Sequence, residues 1–127
     1  MMDFTINILV VDDFSTMRRI VKNVLKDLGF SNIFEADDGT SAVEMLTTKK
    51  IDFIVSDWNM PRMSGLELLK KVRGTDPWKD IPFLMVTAEG QESQILEAVK
   101  NKVSNYIIKP FTPETIKEKV NKIFEGK

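Results

Sequence analysis

Cysteine and histidine are both absent from this chain of 127 residues. Without cysteine there is no disulfide framework and no thiolate metal site, and without histidine the commonest transition-metal ligand and general base is missing. Any metal must therefore be bound through oxygen. An excess of either charge is also missing: 18 Lys and Arg stand against 19 Asp and Glu, for a formal net charge of -1. No basic face is visible for a nucleic-acid polyanion. No stretch approaches the ~20 apolar residues of a membrane-spanning helix, and no basic segment precedes the first apolar run, MMDFTINILVV. A cytoplasmic monomer is expected, with neither nucleic acid nor membrane as partner. Repeats, low-complexity segments and linkers are lacking too, so residues 1–127 are expected to form one domain.

Short apolar runs alternate with stretches patterned at helical spacing, the sequence form of repeated βα units. Strands are expected near Asn7–Asp12, Asn32–Ala36, Phe53–Asp57, Phe83–Thr87 and Tyr106–Lys109. Between them, Met17, Ile20, Val21, Val24, Leu25 and Leu28 mark one side of a helix over Ser15–Leu28 that stops at Gly29. Further helices are expected at Gly39–Leu46 after an Asp37–Asp38 cap, Gly65–Arg73 before Thr75–Asp76–Pro77, Gln91–Lys100 after Gly90, and Pro113–Phe124 after a Thr112 cap. Short crossovers demand parallel strands with helices on both faces, an α/β doubly wound sheet.

In such a sheet ligands sit beyond the carboxyl ends of the strands. Those ends carry Asp12 and Asp13 (ILVVDD), Asp57 (FIVSDWN), Thr87 (FLMVTAE) and Lys109 (NYIIKPF). Two carboxylates ~5 Å apart repel by roughly 3 kcal/mol at an effective dielectric near 20, so an empty cluster should raise at least one pKa. A hard divalent cation relieves that repulsion. Mg²⁺ suits two or three carboxylates plus a backbone carbonyl such as that of Asn59, its remaining positions left to water or phosphate oxygens. Asp12 and Asp13 could instead merely cap the Ser15 helix, although capping leaves Asp57 unexplained.

The motifs VVDDFSTMRRIV, VSDWNMPRMSGLELL, LMVTAE and YIIKPF, in this order from about Ile6 to Phe124, resemble those of response-regulator receiver domains, above all the single-domain chemotaxis type. The resemblance implies a flavodoxin-like (βα)5 sandwich with a five-stranded parallel sheet of order 2-1-3-4-5, an order carried over from known sheets of this kind. It implies that Asp57 accepts a phosphoryl group from a histidine kinase, a chemotaxis kinase being the first candidate. Asp12, Asp13, Asp57 and Asn59 would hold Mg²⁺, while Lys109 and Thr87 would hold the phosphoryl oxygens. A cis bond between Lys109 and Pro110 is implied as well. Asn59 and Glu89, each two residues beyond a site residue, are candidates for tuning loss of the phosphoryl group.

Output in such receivers couples Thr87 to the aromatic at Tyr106 and reshapes a surface to which Glu92, Ile95, Tyr106 and Lys119 would belong. The expected target is the flagellar motor switch protein, and a separate phosphatase is a further possible partner. The chain would catalyse nothing beyond its own phosphorylation and dephosphorylation, and no output domain is expected. It departs from the motor-binding pattern at Gln91 and Glu92, where basic residues are common, and at Asn101–Lys102–Val103, where Ala-Gly-Ala is usual. If the glycine position needs a positive φ, Lys102 costs up to ~1 kcal/mol there.

Three rivals remain at this level. One is a receiver acting as a phosphate sink or on a non-flagellar partner. A flavodoxin-like electron carrier would need a hydroxyl- and glycine-rich loop after the first strand, where Asp12 and Asp13 would repel a flavin phosphate. An aspartyl-nucleophile phosphatase usually has a second acid two residues after its nucleophile, where Asn59 stands.

Overall fold

The computed structural model describes residues 3–88 and 90–125. In it the strands β1 (Asn7–Val11), β2 (Asn32–Ala36), β3 (Phe53–Asp57), β4 (Phe83–Ala88) and β5 (Asn105–Lys109) alternate with the helices α1 (Ser15–Leu28), α2 (Gly39–Thr48), α3 (Gly65–Arg73), α4 (Glu92–Lys100) and α5 (Pro113–Phe124). All pairings are parallel, in the order β2-β1-β3-β4-β5. The expected architecture is thus observed, with element ends shifted by a residue or two. α2 runs on to Thr48, and Gln91 is the N-cap of α4 instead of its first residue.

The period-2 alternation of side chains sorts each strand into two rows and gives the molecule two cores. Ile8 and Val10, Phe53 and Val55, Leu84 and Val86, and Ile107 face α1 and α5, where Val21, Val24, Leu25, Ile116 and Val120 meet them. Leu9 and Val11, Ile54, Phe83 and Met85 face the other way, onto Ala42, Leu46, Leu68, Leu69, Val72 and Ala98 of α2, α3 and α4. Burial on both sides explains why β3 and β4 read as continuous apolar runs. Each fully buried Leu, Ile or Phe contributes about 1.5–3 kcal/mol.

Helix ends are set by local chemistry. Asp38 with Ser41, and Ser64 with Glu67, form capping boxes at α2 and α3. Thr112 caps α5 with Pro113 next to it, and α1 stops where Gly29 turns left-handed at φ 119°. Lys102, just beyond α4, also takes a positive φ, 64°, as does Arg62 at 65°. Among the described residues, no helix is long and apolar enough to cross a membrane.

Candidate functional site

Parallel register carries β1, β3, β4 and β5 to one edge, and the residues just beyond the apolar rows meet there. Asp12 and Asp57 extend the row that faces α1 and α5, and so does Lys109. Thr87 extends the opposite row, behind Phe83 and Met85. Asp12, Asp13 and Asp57 each offer a carboxylate oxygen, and these oxygens lie within 4.8 Å of one another. Lys109 Nζ reaches to 3.0 Å from Asp57 Oδ1. Asp12 and Asp57 are buried, whereas Asp13 is exposed.

Burial, as the leading cause, pushes the Asp12 carboxyl up to about 6. The Phe14 N–H opposes that shift, and the Asp57 charge adds to it. Burial raises Asp57 as well, against the Lys109 ammonium, which pulls it down. One lysine thus compensates only part of a crowded acidic cluster. Oxygen donors alone, in a histidine-free and cysteine-free chain, suit a hard divalent cation.

The Thr87 hydroxyl is buried and has no hydrogen-bond partner, an arrangement that costs about 1–3 kcal/mol unless a ligand supplies an acceptor. On the same face, Met85 pairs with Tyr106 and Thr87 with Ile108, so Thr87 and Tyr106 are diagonal neighbours on adjacent strands. Tyr106 is half-buried against the core under α4, and Lys119 Nζ lies 5.3 Å from its ring centroid. Glu92 is exposed and Ile95 half-buried on α4. Leu96 and Val99 of α4 and Ile108 of β5 are large exposed apolar residues.

Asn59 is exposed and lines an open cleft with Asp13, Trp58, Met60, Pro61 and Ser64. Glu89 lies outside the described residues. The Lys109–Pro110 bond is cis.

Four features of the site were not anticipated. Capping by Asp12 or Asp13 is not what starts α1: its N-cap is Phe14, without a side-chain bond, and Asp12 Oδ1 accepts from the Phe14 N–H at 2.9 Å in the turn before it. Arg18 Nη1 donates to the Asp12 carbonyl at 2.6 Å and so fixes that turn from behind. Gly65 has no room for a side chain, since a Cβ there would stand 2.2 Å from the Asp57 carbonyl oxygen. Arg62 pairs with the buried Asp38. Only Gly65 carried a sequence signal, a glycine opening a helix.

The sheet order is that of a receiver domain, and the family comparison agrees. Residues 8–121 match the response regulator receiver domain, and the chain belongs to that family. Within it, the similarity runs to the CheY type of chemotaxis response regulator. The chain is 58% identical over 118 residues to the chemotaxis protein CheY of Pseudomonas aeruginosa, covering 93% of this chain and 95% of that one. It is also 58% identical to CheY-3 of Vibrio cholerae, covering 93% and 91% of the two chains. Among solved structures, the chemotaxis response regulator CheY4 of Vibrio cholerae superposes with a TM-score of 0.87 at 32% identity, over 94% of this chain and 99% of that one.

Proposed function

We propose that this chain is a signalling receiver in which Asp57 takes a phosphoryl group from a histidine kinase and thereby switches the face around Tyr106. The contact that carries this reading is the Lys109 ammonium 3.0 Å from a buried Asp57 carboxylate, inside a cluster of acids. In the transfer, an Asp57 carboxylate oxygen forms the new P–O bond as the P–N bond to the kinase histidine breaks, and the departing imidazole nitrogen keeps the electron pair. Lys109 balances charge on one phosphoryl oxygen. The unpartnered Thr87 hydroxyl donates to another, which removes its desolvation cost. Asp13, Asp57 and the Asn59 carbonyl would hold Mg²⁺, with Asp12 contributing directly or through water. The ion supplies the positive charge that lets a carboxylate approach an anionic phosphoryl group. Asn59, and Glu89 if it reaches the site, would tune attack by water on the acyl phosphate.

Movement of Thr87 toward the phosphoryl group frees space beside its diagonal neighbour, and the Tyr106 ring turns into it. The exposed Leu96, Val99 and Ile108 then belong to a docking face together with Glu92, Ile95, Tyr106 and Lys119. The names of the relatives point to chemotaxis, and the flagellar motor switch protein is the proposed target.

Binding of a motor-switch peptide with and without Mg²⁺ plus beryllofluoride, with Trp58 fluorescence reporting occupancy, tests the assignment. Tighter binding on occupancy supports the motor target. Occupancy without binding keeps the receiver chemistry and turns to a phosphate sink or another partner, the direction in which Glu92 and Lys102 lean. Absence of any occupancy would refute the phosphoryl site itself.

A further inference from the structure

Trp58, Asn59, Met60, Pro61 and Ser64 of the loop that follows β3 line an open cleft together with Asp13. The far end of this loop is fixed by Gly65, packed against the Asp57 carbonyl and Trp58, with the Gly65 N–H donating to the Trp58 carbonyl at 2.8 Å. Near its middle, Arg62 adopts a left-handed backbone at φ 65°, a conformation that disfavours arginine. Its guanidinium contacts Asp38, whose side chain is 1% exposed while that of Arg62 is 67% exposed. Met63 lies beneath Gly39, where an added Cβ would stand 2.6 Å from the Met63 Cβ and Cγ. Asp38 in turn follows the end of β2, where the Ala36 carbonyl accepts from the Asp12 N–H at 3.1 Å.

These contacts close a circuit around the acidic cluster: Asp12 to Ala36, along the chain to Asp38, across to Arg62, and back through Asn59 to Asp57. We infer that the Arg62–Asp38 pair is a positioning clamp, holding the loop wall that carries Asn59 at a fixed distance from Asp12 and Asp13. The function rests on the metal-assisted receiver chemistry proposed above, whereas the clamp itself is a property of the fold. Two features separate it from an ordinary surface pair. One member is a fully buried carboxylate already committed to capping α2 through the Ser41 N–H, at 2.8 Å, so the anchor cannot drift. The other sits on a backbone conformation that nothing in its own sequence favours, so the loop relaxes once the contact is gone.

Arg62→Met tests this, because methionine is a long unbranched side chain that shares arginine's cost in the left-handed region but lacks the guanidinium that contacts Asp38. Asp38→Asn keeps an N-cap acceptor for Ser41 while removing the charge. Each variant should weaken Mg²⁺ binding, read by Trp58 fluorescence, by roughly tenfold, the low end for contacts that orient metal ligands from outside. The double variant should lose no more than either single one, and Arg62→Lys should recover part of the loss. Amide hydrogen exchange should quicken over residues 58–64 and stay unchanged in α5. Wild-type Mg²⁺ affinity in both variants, or fully additive losses, would overturn the clamp. If the unaltered chain bound no Mg²⁺, the metal reading would fall, and exchange alone would decide the clamp: faster in the loop sustains it, unchanged removes it.

Discussion

Thr87 and Asp12 show how single side chains carry a standing cost at the site. Because the Thr87 hydroxyl is buried without a partner, Thr87→Val, which swaps the hydroxyl for a methyl of similar shape, should raise stability by about 1 kcal/mol in urea unfolding. The same variant should lose phosphorylation-dependent target binding. A drop in stability would mean that the hydroxyl is satisfied after all. For Asp12, burial holds the carboxyl at about 6 against an ordinary 3.8, so the folded chain binds this proton more tightly than the unfolded one. That contribution to stability is complete below 3.8 and is lost as the pH rises through about 6. The metal-free melting temperature should therefore fall, relative to that of Asp12→Asn, as the pH is raised across this window. Parallel curves for the two proteins would contradict the shift. If Mg²⁺ binds this cluster as proposed, it competes with the same proton, so its affinity should decline as the pH drops through about 6.

At the scale of elements, glycine and its replacements decide how segments join. Gly65→Ala would drive a methyl into the Asp57 carbonyl and should destabilise the fold by roughly 2–4 kcal/mol, an overpacking cost against backbone that cannot yield. Lys102→Gly should do the opposite, gaining about 1 kcal/mol by relieving a left-handed lysine. The Arg73 Nε–H bond to the Lys102 carbonyl, 3.0 Å, uses only backbone there and would survive. Thermal unfolding of both variants checks the pair of signs. The sequence told these positions apart unevenly. Asn101–Lys102–Val103 stood out against the Ala-Gly-Ala usual in the family it resembles, whereas Arg62 shows its left-handed backbone only in three dimensions. Elements were legible because periodicity and caps are local, as at Asp38 and Thr112. The Arg62–Asp38 pair was not, since 24 residues separate its members along the chain and neither follows a pattern. Phe14 failed as a signal for a related reason: it caps α1 by backbone conformation alone, with no side-chain bond to announce it.

For the whole molecule, the acidic edge ties ligand binding to global stability. If Mg²⁺ binds the folded cluster and not the unfolded chain, an ion concentration near 100 times its Kd should stabilise by about 2.7 kcal/mol. Calorimetry with and without Mg²⁺ reads this directly, and Asp57→Asn should lose most of the gain. An equal gain in that variant would place the ion elsewhere. The strand-end residues of this cluster were legible before the structure because a parallel sheet sends every strand's carboxyl end to the same side. Their distances, and the share of compensation that Lys109 provides, depend on register and burial, which no single strand encodes.

Thr87 belongs to the opposite side-chain row from Asp12, Asp57 and Lys109, and this has a consequence for how information crosses the molecule. The sheet is a partition that separates the core under α1 and α5 from the core under α2, α3 and α4, and under the proposed function the first would hold the reaction and the second the readout. On the proposed function, a phosphoryl group bound on one side would be felt on the other through the Thr87 hydroxyl at the partition's rim. Repacking confined to the α1–α5 compartment should then alter how fast the message is written while leaving what it says unchanged. Substitutions beneath α4 should garble the message without slowing its arrival.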